Sequence, residues 1–405
     1  MRTPSSAKAR PDIFYLYAAR GLRAFGDGFA VIVLPAYLAA IGLDAVQIGI
    51  VATAALLGSA VTTLAVGMFA ARHDLRNLLL LGAFLMAATG LAIPNFEHVA
   101  FIIVILFVGT LNPSTGDIGL LIPLEHAMLS RGVADRERTG AFARYSLVGA
   151  IATATGALAA ATPDLLVSFG FDKTAALRAM FYGYALLGLA GAACYARLPH
   201  TPAPDLSAPA AALGPSRKIV YKLAALFSID AFAGGFVVPS LLALWLFEQF
   251  DLSLAAASLF FFWSNVLTAL SYPVAARLAA RFGLINTMVF THIPSSLCLI
   301  VAAFSSNLTL VLGLLLVRSA LSQMDVPTRS SYVMAVVTPA ERTAAASVTA
   351  VPRSLASSLG PAFAGYMLGT AFAGLPLVIC GALKIAYDVA LLFTFRHIKA
   401  PEERS

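Results

Sequence analysis

Residues 197–217 read RLPHTPAPDLSAPAAALGPSR, a polar stretch with five prolines. Proline clusters of this kind end helices and make extended linkers. On both sides the chain changes character. Before it, long apolar runs occupy roughly residues 13–41, 45–70, 78–94, 99–122, 139–162 and 174–196. After it, six more occupy roughly 218–247, 253–276, 285–304, 307–337, 342–370 and 372–396. A helix needs about 20 mostly apolar residues to cross a bilayer. The runs are too long and too rich in Ala and Leu for the roughly ten-residue alternating strands of a membrane barrel. They predict an all-α polytopic membrane protein whose twelve transmembrane helices form two six-helix pseudo-symmetric bundles. The N-terminal bundle covers 1–196, a cytoplasmic linker 197–217, and the C-terminal bundle 218–405.

Composition agrees. Of 405 residues, 60% are hydrophobic and 12% charged. A soluble domain carries about 25% charged residues, so this chain cannot cover a water-facing surface. Global disorder is excluded by the same numbers. Cys194, Cys298 and Cys380 all lie in apolar runs. An odd count without CxxC spacing points to core residues, with neither a disulfide framework nor a zinc site. The start, MRTPSSAKARPD, is basic, and the run after it holds Arg20, Arg23 and Asp27 without a convincing cleavage site. It reads as a retained helix.

The net charge of +7 has a place. Alternate connectors hold 18 Lys and Arg residues, among them Arg72, Arg76, Arg131, Arg197, Arg281 and Arg342, whereas the opposite set holds only Lys173 and Arg178. This asymmetry is the positive-inside pattern. It puts both termini in the cytoplasm and makes the span count even. The expected location is the cell (plasma or inner) membrane, with the lipid bilayer and no nucleic acid as partner.

The halves look like copies. Asp27-Gly28-Phe29 in the first span answers Asp230-Ala231-Phe232 in the seventh, and Glu137-Arg138-Thr139 before the fifth answers Glu341-Arg342-Thr343 before the eleventh. Gly67–Arg72 after the second span answers Ala276–Arg281 after the eighth. Such six-plus-six repeats belong to transporters whose halves rock about a midplane site. On these residues the chain resembles the major facilitator superfamily over essentially its full length. The family's loop pattern G-x-L-A-D-R-x-G-R-K/R meets Gly67, Ala70 and Arg72 here, with Arg76 one place from a family basic position. Ala71 and Ala280 stand where the family has aspartate. The stretch Gln323–Arg329, leading to Glu341-Arg342-Thr343, is similar to poorly characterised bacterial members.

A charge at the bilayer centre costs about 2.5–3.5 kcal/mol on insertion scales, so each one needs a reason. By a helical rise of about 1.5 Å per residue, Asp27, Asp230, Arg318, Arg353, Lys384 and Asp388 fall near mid-membrane. Three acids and three bases have the option of neutralising one another. Arg20, Arg23 and Asp27 share one helix face. The resemblance implies that spans one, four, seven and ten line a central cavity, which turns this face inward. Asp27 and Asp230 are candidate proton carriers. Arg20, Arg23, Arg318 and Asn112 are candidates for substrate or counter-charge, although the two first arginines also have the length to snorkel. Gly67, Arg72, Arg76, Asp117, Arg281, Asp325 and Arg329, with Glu125 and Arg144 nearby, are candidates for a cytoplasmic gate. Lys384 and Asp388, four residues apart, are expected to pair with each other. Asn112–Gly116 interrupts span four, and Pro35, Pro239, Pro327 and Pro361 are expected kinks. The run Phe260–Trp263 reads either as cavity lining or as a lipid-facing belt.

No GxxxxGK[ST], HExxH or GxSxG occurs, which argues against a nucleotide-driven pump or a common hydrolase. No enzyme activity, catalytic residue, cofactor or metal is expected. The leading expectation is a monomeric secondary transporter that exports a small organic solute by proton-coupled alternating access. The alternatives are uptake of an anionic metabolite and a non-transporting membrane sensor of the same fold. The sensor reading expects every mid-membrane charge to be self-paired.

Overall fold

A computed structural model describes residues 11–69, 73–114, 119–133, 138–200, 213–338 and 341–395. The described residues hold sixteen α-helices. The first half contains α1 (Pro11–Ala40), α2 (Ala45–Phe69), α3 (Leu75–Ala92), α4 (Val99–Val108), α5 (Leu121–Gly132), α6 (Arg138–Ala159), α7 (Thr162–Ser168) and α8 (Lys173–Tyr195). The second contains α9 (Arg217–Gly235), α10 (Pro239–Phe250), α11 (Leu254–Phe282), α12 (Leu284–Phe304), α13 (Leu308–Ser322), α14 (Asp325–Ala335), α15 (Arg342–Leu368) and α16 (Leu375–Phe395).

Among the described residues ten stretches are long and apolar enough to cross a membrane, with α9–α10 and α13–α14 each counting as one. Span four is delivered as the shorter pair α4 and α5, and span eleven as the 27-residue α15. Spans four, seven and ten are thus all broken near their middle. Span four breaks after Gly109, and Asn112 turns its carboxamide oxygen onto the Ser114 N–H at 2.9 Å. Span seven breaks at Val238, held extended by the following Pro239, because a residue before proline is pushed out of helical geometry. Of the four expected kinks, Pro239 and Pro327 lie in the first turn after a break, where proline has no helical hydrogen bond to lose. Pro35 and Pro361 instead sit inside the continuous α1 and α15.

Side chains satisfy the helix starts. Asp44 and Gln47 cap α2 reciprocally, at 2.8 and 3.0 Å, as a capping box does. Asp74, Asp172, Ser253 and Asn307 cap α3, α8, α11 and α13. Each meets backbone donors that a helix leaves open.

Among the described residues three apolar cores organise the bundle. One lies on the side away from the linker and draws on both halves: Ile32, Tyr37, Ile102 and Phe181 pack in one cluster with Leu242, Trp245, Phe261 and Leu299. On the linker side the cores are separate. Leu16, Leu79, Leu129 and Tyr145 form one within the first half. Val220, Met288, Tyr332 and Phe395 form the other within the second. The two bundles are therefore joined on the far side.

The join is close. A Cβ placed on Gly365 of α15 would lie 2.4 Å from the carbonyl oxygen of Ala45 and 2.8 Å from the Gly49 Cα of α2. Small residues permit such backbone approach where lipid offers no hydrophobic drive between helices. Across the same seam the Ala362 N–H donates to Thr53 Oγ1 at 2.9 Å, and Ser240 N–H donates to the Pro113 carbonyl at 3.2 Å. Asp164 Oδ2 accepts the Ala255 N–H at 2.9 Å, so α7 caps α11 across the halves. The aromatic run divides: Phe260 and Phe261 are in the shared core, and Trp263 is half exposed on the outside.

Candidate functional site

A polar layer crosses both bundles at the depth where the far-side core gives way to the linker-side cores. In α1 it comprises Arg20, Arg23 and Asp27, between Ala19 of one core and Phe29 of the other. In α9 it is Asp230, between Phe227 and Phe236. In α16 it is Lys384, between Cys380 and Tyr387.

In the first half the hub is Glu125 of α5, which is fully buried. Its Oε2 takes Arg23 Nη2 at 2.5 Å and the Tyr145 hydroxyl, and its Oε1 takes the Tyr195 hydroxyl at 2.5 Å. Arg23 also lies 3.9 Å from Asp27 Oδ2. Asp27 accepts the Tyr184 hydroxyl at 3.1 Å and keeps 26% of its side chain exposed. The Arg20 guanidinium sits 5.0 Å from the Tyr145 ring centroid, in cation–π range. Gly149 makes this possible, since a Cβ there would lie 2.5 Å from Arg20 Nε. Arg20 and Arg23 therefore fold into the bundle and do not reach for headgroups.

In the second half the hub is Asp230, also buried. Oδ1 lies 2.6 Å from Lys384 Nζ and 3.9 Å from His292 Nε2, while Oδ2 lies 3.3 Å from Arg329. Arg329 also bonds Asp325 at 2.7 Å. Beyond Lys384, His292 Nε2 is 3.2 Å from its ammonium, and His292 Nδ1 is 3.1 Å from Asp388 Oδ1. Six residues on α9, α12, α14 and α16 thus form one continuous chain.

The expected pairings are met unevenly. Arg20, Arg23 and Asp27 are brought together as their spacing implies. Asp325 and Arg329 pair along their helix, but Arg329 turns into the Asp230 cluster. Lys384 and Asp388 do not pair with each other: Lys384 meets Asp230 and Asp388 meets His292. Nor do the mid-membrane charges all pair: among the described residues neither Arg318 nor Arg353 has a carboxylate within ion-pair distance, and the buried Nε of Arg353 has no hydrogen-bond partner. Arg318 stays half-buried in α13. Asn112 stabilises its own helix break. On the linker side, Arg76 bonds the Ala196 carbonyl and His200, both at 2.6 Å, and Arg281 lies over the Phe282 ring. Gly67 is near the end of α2, and Arg72 and Asp117 lie outside the described residues. Among the described residues no His, Cys, Asp and Glu cluster suits a metal.

Sequence reasoning missed the tyrosines and His292. Tyr184 and Tyr195 are eleven residues apart, about three helical turns, and so share a face. His292 stands alone in an apolar run and gave no pattern.

Two stretches, residues 16–228 and 223–405, match the Major Facilitator Superfamily. The chain belongs to the Major Facilitator Superfamily. The two matches overlap at residues 223–228. An uncharacterized membrane protein of Saccharomyces cerevisiae is 25% identical over 429 aligned residues, covering 97% of this chain and 96% of the yeast protein. The nucleoside transporter NupG is similar in structure, with a TM-score of 0.73, 14% identity, and 95% of this chain and 99% of that one covered. A bacterial homologue of the human lysosomal transporter Spinster, solved inward-facing and unoccupied, gives 0.73 at 15% identity over 98% of this chain and 100% of that one. The D-xylose–proton symporter gives 0.70 at 16% identity over 96% and 98%. At these identities the likeness is one of fold. The chain is a multi-pass membrane protein with a superfamily transporter fold.

Proposed function

We propose that this protein is a secondary active transporter that carries a small organic solute across the cell membrane by alternating access, coupled to protons and working in export. The observation that carries the reading is the polar layer between the shared far-side core and the two separate linker-side cores. A bundle closed on one side, with charged clusters at the level where its halves part, suits solute loading from the linker side. The positive-inside charge bias makes that side cytoplasmic.

The two candidate acids take different roles. Asp27 is partly exposed and held by one hydroxyl and one distant guanidinium, so it is the group proposed to exchange protons with the cavity. Asp230 faces three cationic or basic groups and is proposed as a fixed anion that organises spans seven, ten and twelve. Reconstitution into liposomes with an internal pH dye tests this. Solutes from a chemically varied panel, added with an imposed pH gradient, should drive proton flux that Asp27→Asn abolishes. Full flux in Asp27→Asn overturns the role of Asp27, and no solute-dependent flux overturns proton coupling.

A second reading, carriage of an anionic metabolite, is favoured by Arg318 and Arg353. A half-buried cation with no carboxylate in ion-pair range is costly, and a substrate carboxylate or phosphate would offset that cost. The same two residues weigh against a non-transporting sensor, which was expected to have fully self-paired charges.

A further inference from the structure

The Asp230 cluster extends past the helices that line the centre of the bundle, into spans nine and twelve, where it ends on His292 and Asp388. We propose that His292, backed by Asp388, is a binding site for the coupling proton and controls the Lys384–Asp230 ion pair. This rests on the proton-coupled reading and adds to it a second proton site, in the C-terminal half.

The geometry assigns the ring's protonation. A Lys384 ammonium only donates, so His292 Nε2, 3.2 Å away, must accept. The ring proton then sits on Nδ1 and donates to Asp388 Oδ1 at 3.1 Å. The observed contacts describe a neutral imidazole with both nitrogens engaged. A proton arriving at Nε2 removes the lone pair that Lys384 uses and places a second cation beside the first. Nε2 is already 3.9 Å from Asp230 Oδ1, so His292 and Lys384 then compete for one carboxylate oxygen. Whichever yields, α16 shifts against α9, the helix that carries Asp230. Imidazole is the side chain whose charge changes between about pH 5 and 8, and the fully buried Asp388 carboxylate at Nδ1 fixes the orientation of the ring.

The other titratable groups around His292 fit this assignment. From α16 come Lys384, Asp388 and the Tyr387 ring, 6.2 Å away. From α9 comes Asp230, and from α14 come Arg329 and Asp325, with Tyr332 packed against Phe395. From α13, Arg318 offers its backbone carbonyl to Ser295 Oγ, one turn from His292. The titratable residues of α11, Tyr272, Arg277 and Arg281, are all exposed. Asp388 Oδ2 and the Tyr387 hydroxyl are both buried without a partner, which leaves unused proton-accepting capacity beside the ring.

Two measurements on full-length protein in nanodiscs test the site without a known solute. Nitrogen-15 histidine NMR should show one of the six histidines as a neutral Nδ1–H tautomer that gains a proton between pH 8.5 and 5, and His292→Gln should remove that signal. Spin labels at Arg131 and Arg277, on the linker side, should report a pH-dependent spacing that His292→Gln and the isosteric Asp388→Asn both abolish. A His292 that stays neutral across the range, or a pH response unchanged in both variants, overturns the proposal. If His292 fails but solutes still drive Asp27-dependent proton flux, only this site is lost. If His292 titrates as expected but no solute drives proton flux, proton coupling fails, the coupling role of His292 is overturned with it, and what stands is a proton site that controls the Lys384–Asp230 pair.

Discussion

Glu125 is the fifth residue of α5 and Arg329 the fifth of α14, and the two fill matching places in the two halves with opposite charge. They stand 204 residues apart, the offset at which Glu137-Arg138-Thr139 recurs as Glu341-Arg342-Thr343. In the first half, the carboxylate on broken span four grips an arginine of span one. In the second, the arginine on broken span ten grips a carboxylate of span seven. The repeat keeps the geometry and inverts the electrostatics. The sixth span of each half extends the contrast: Tyr184 gives Asp27 a neutral donor, and Lys384 gives Asp230 a cation. Two acids that look equivalent in sequence therefore sit in unlike surroundings.

The Glu125–Arg23 pair should be strongly coupled. Removing one member of a buried ion pair costs about 3–5 kcal/mol, because the other is left buried and unpaired. Glu125→Leu should lower the thermal midpoint in detergent sharply, and Arg23→Met combined with Glu125→Leu should recover most of the loss. Tyr195→Phe should cost less, about 1.5–3 kcal/mol for one hydrogen bond to a charged group. Equal destabilisation by the single and double changes would show that the pair is not coupled.

The Gly365–Gly49 contact should decide which side of the bundle is shut. Gly365→Leu places a side chain where even a Cβ meets the Ala45 carbonyl at 2.4 Å. The far-side seam should then open, and the population should shift toward a form closed on the linker side. Distances between spin labels on the far-side ends of α2 and α15 should lengthen. Unchanged distances would mean that the seam tolerates the wedge.

Glu341 should act as an acid-labile clasp between the linker and the start of α15. Its carboxylate accepts Thr338 Oγ1 at 2.6 Å, Ser216 Oγ at 2.8 Å and the Gly214 N–H at 2.6 Å. These hydrogen bonds, that from Thr338 foremost, hold its carboxyl down at about 2, from the usual 4.5. A lowered folded-state value means the stabilisation is present above about pH 4.5 and lost as pH falls toward 2. A spin label at the exposed Pro215 should be immobile at neutral pH and gain mobility across that window. Glu341→Gln should be mobile throughout, and a flat wild-type profile would refute the clasp.

Arg318 should be a destabilising residue that a ligand relieves. Arg318→Leu removes a cation without a carboxylate in ion-pair range, so the thermal midpoint in plain detergent should rise. If an anionic solute binds there, small carboxylates or phosphates should stabilise the wild type, by about 2.7 kcal/mol at 100 times Kd, and should not stabilise Arg318→Gln. Lower stability of Arg318→Leu would show that the guanidinium already has a role in the packing.

Much of the architecture was legible in the chain. The Pro-rich 197–217 divided it, hydropathy placed the spans, and two recurring tripeptides with one recurring six-residue stretch related the halves. The cost of placing any charge in lipid made Asp27 and Asp230 visible without partners, and the i, i+4 spacing of Asp325 and Arg329 made that pair visible as a gate candidate. The partners were another matter. Spacing put Lys384 and Asp388 on one face and suggested that they pair. The fold sends one to Asp230, 154 residues away, and the other to His292, 96 residues away. Glu125 was seen as part of a gate and proved to be the buried hub of the first half.

What the sequence determined by itself is what lipid enforces locally. Each segment must satisfy its own backbone and present apolar side chains over about 20 residues, so span number, span order and the duplicated halves follow from the residues in line. The tertiary structure alone decided which polar groups meet, where spans four, seven and ten break, and which end of the bundle is sealed. Those outcomes depend on helices far apart in the chain coming within hydrogen-bonding reach. A buried charge states in the sequence that it needs a partner, and only packing selects Lys384 for Asp230 and, among the described residues, leaves Arg318 without a carboxylate.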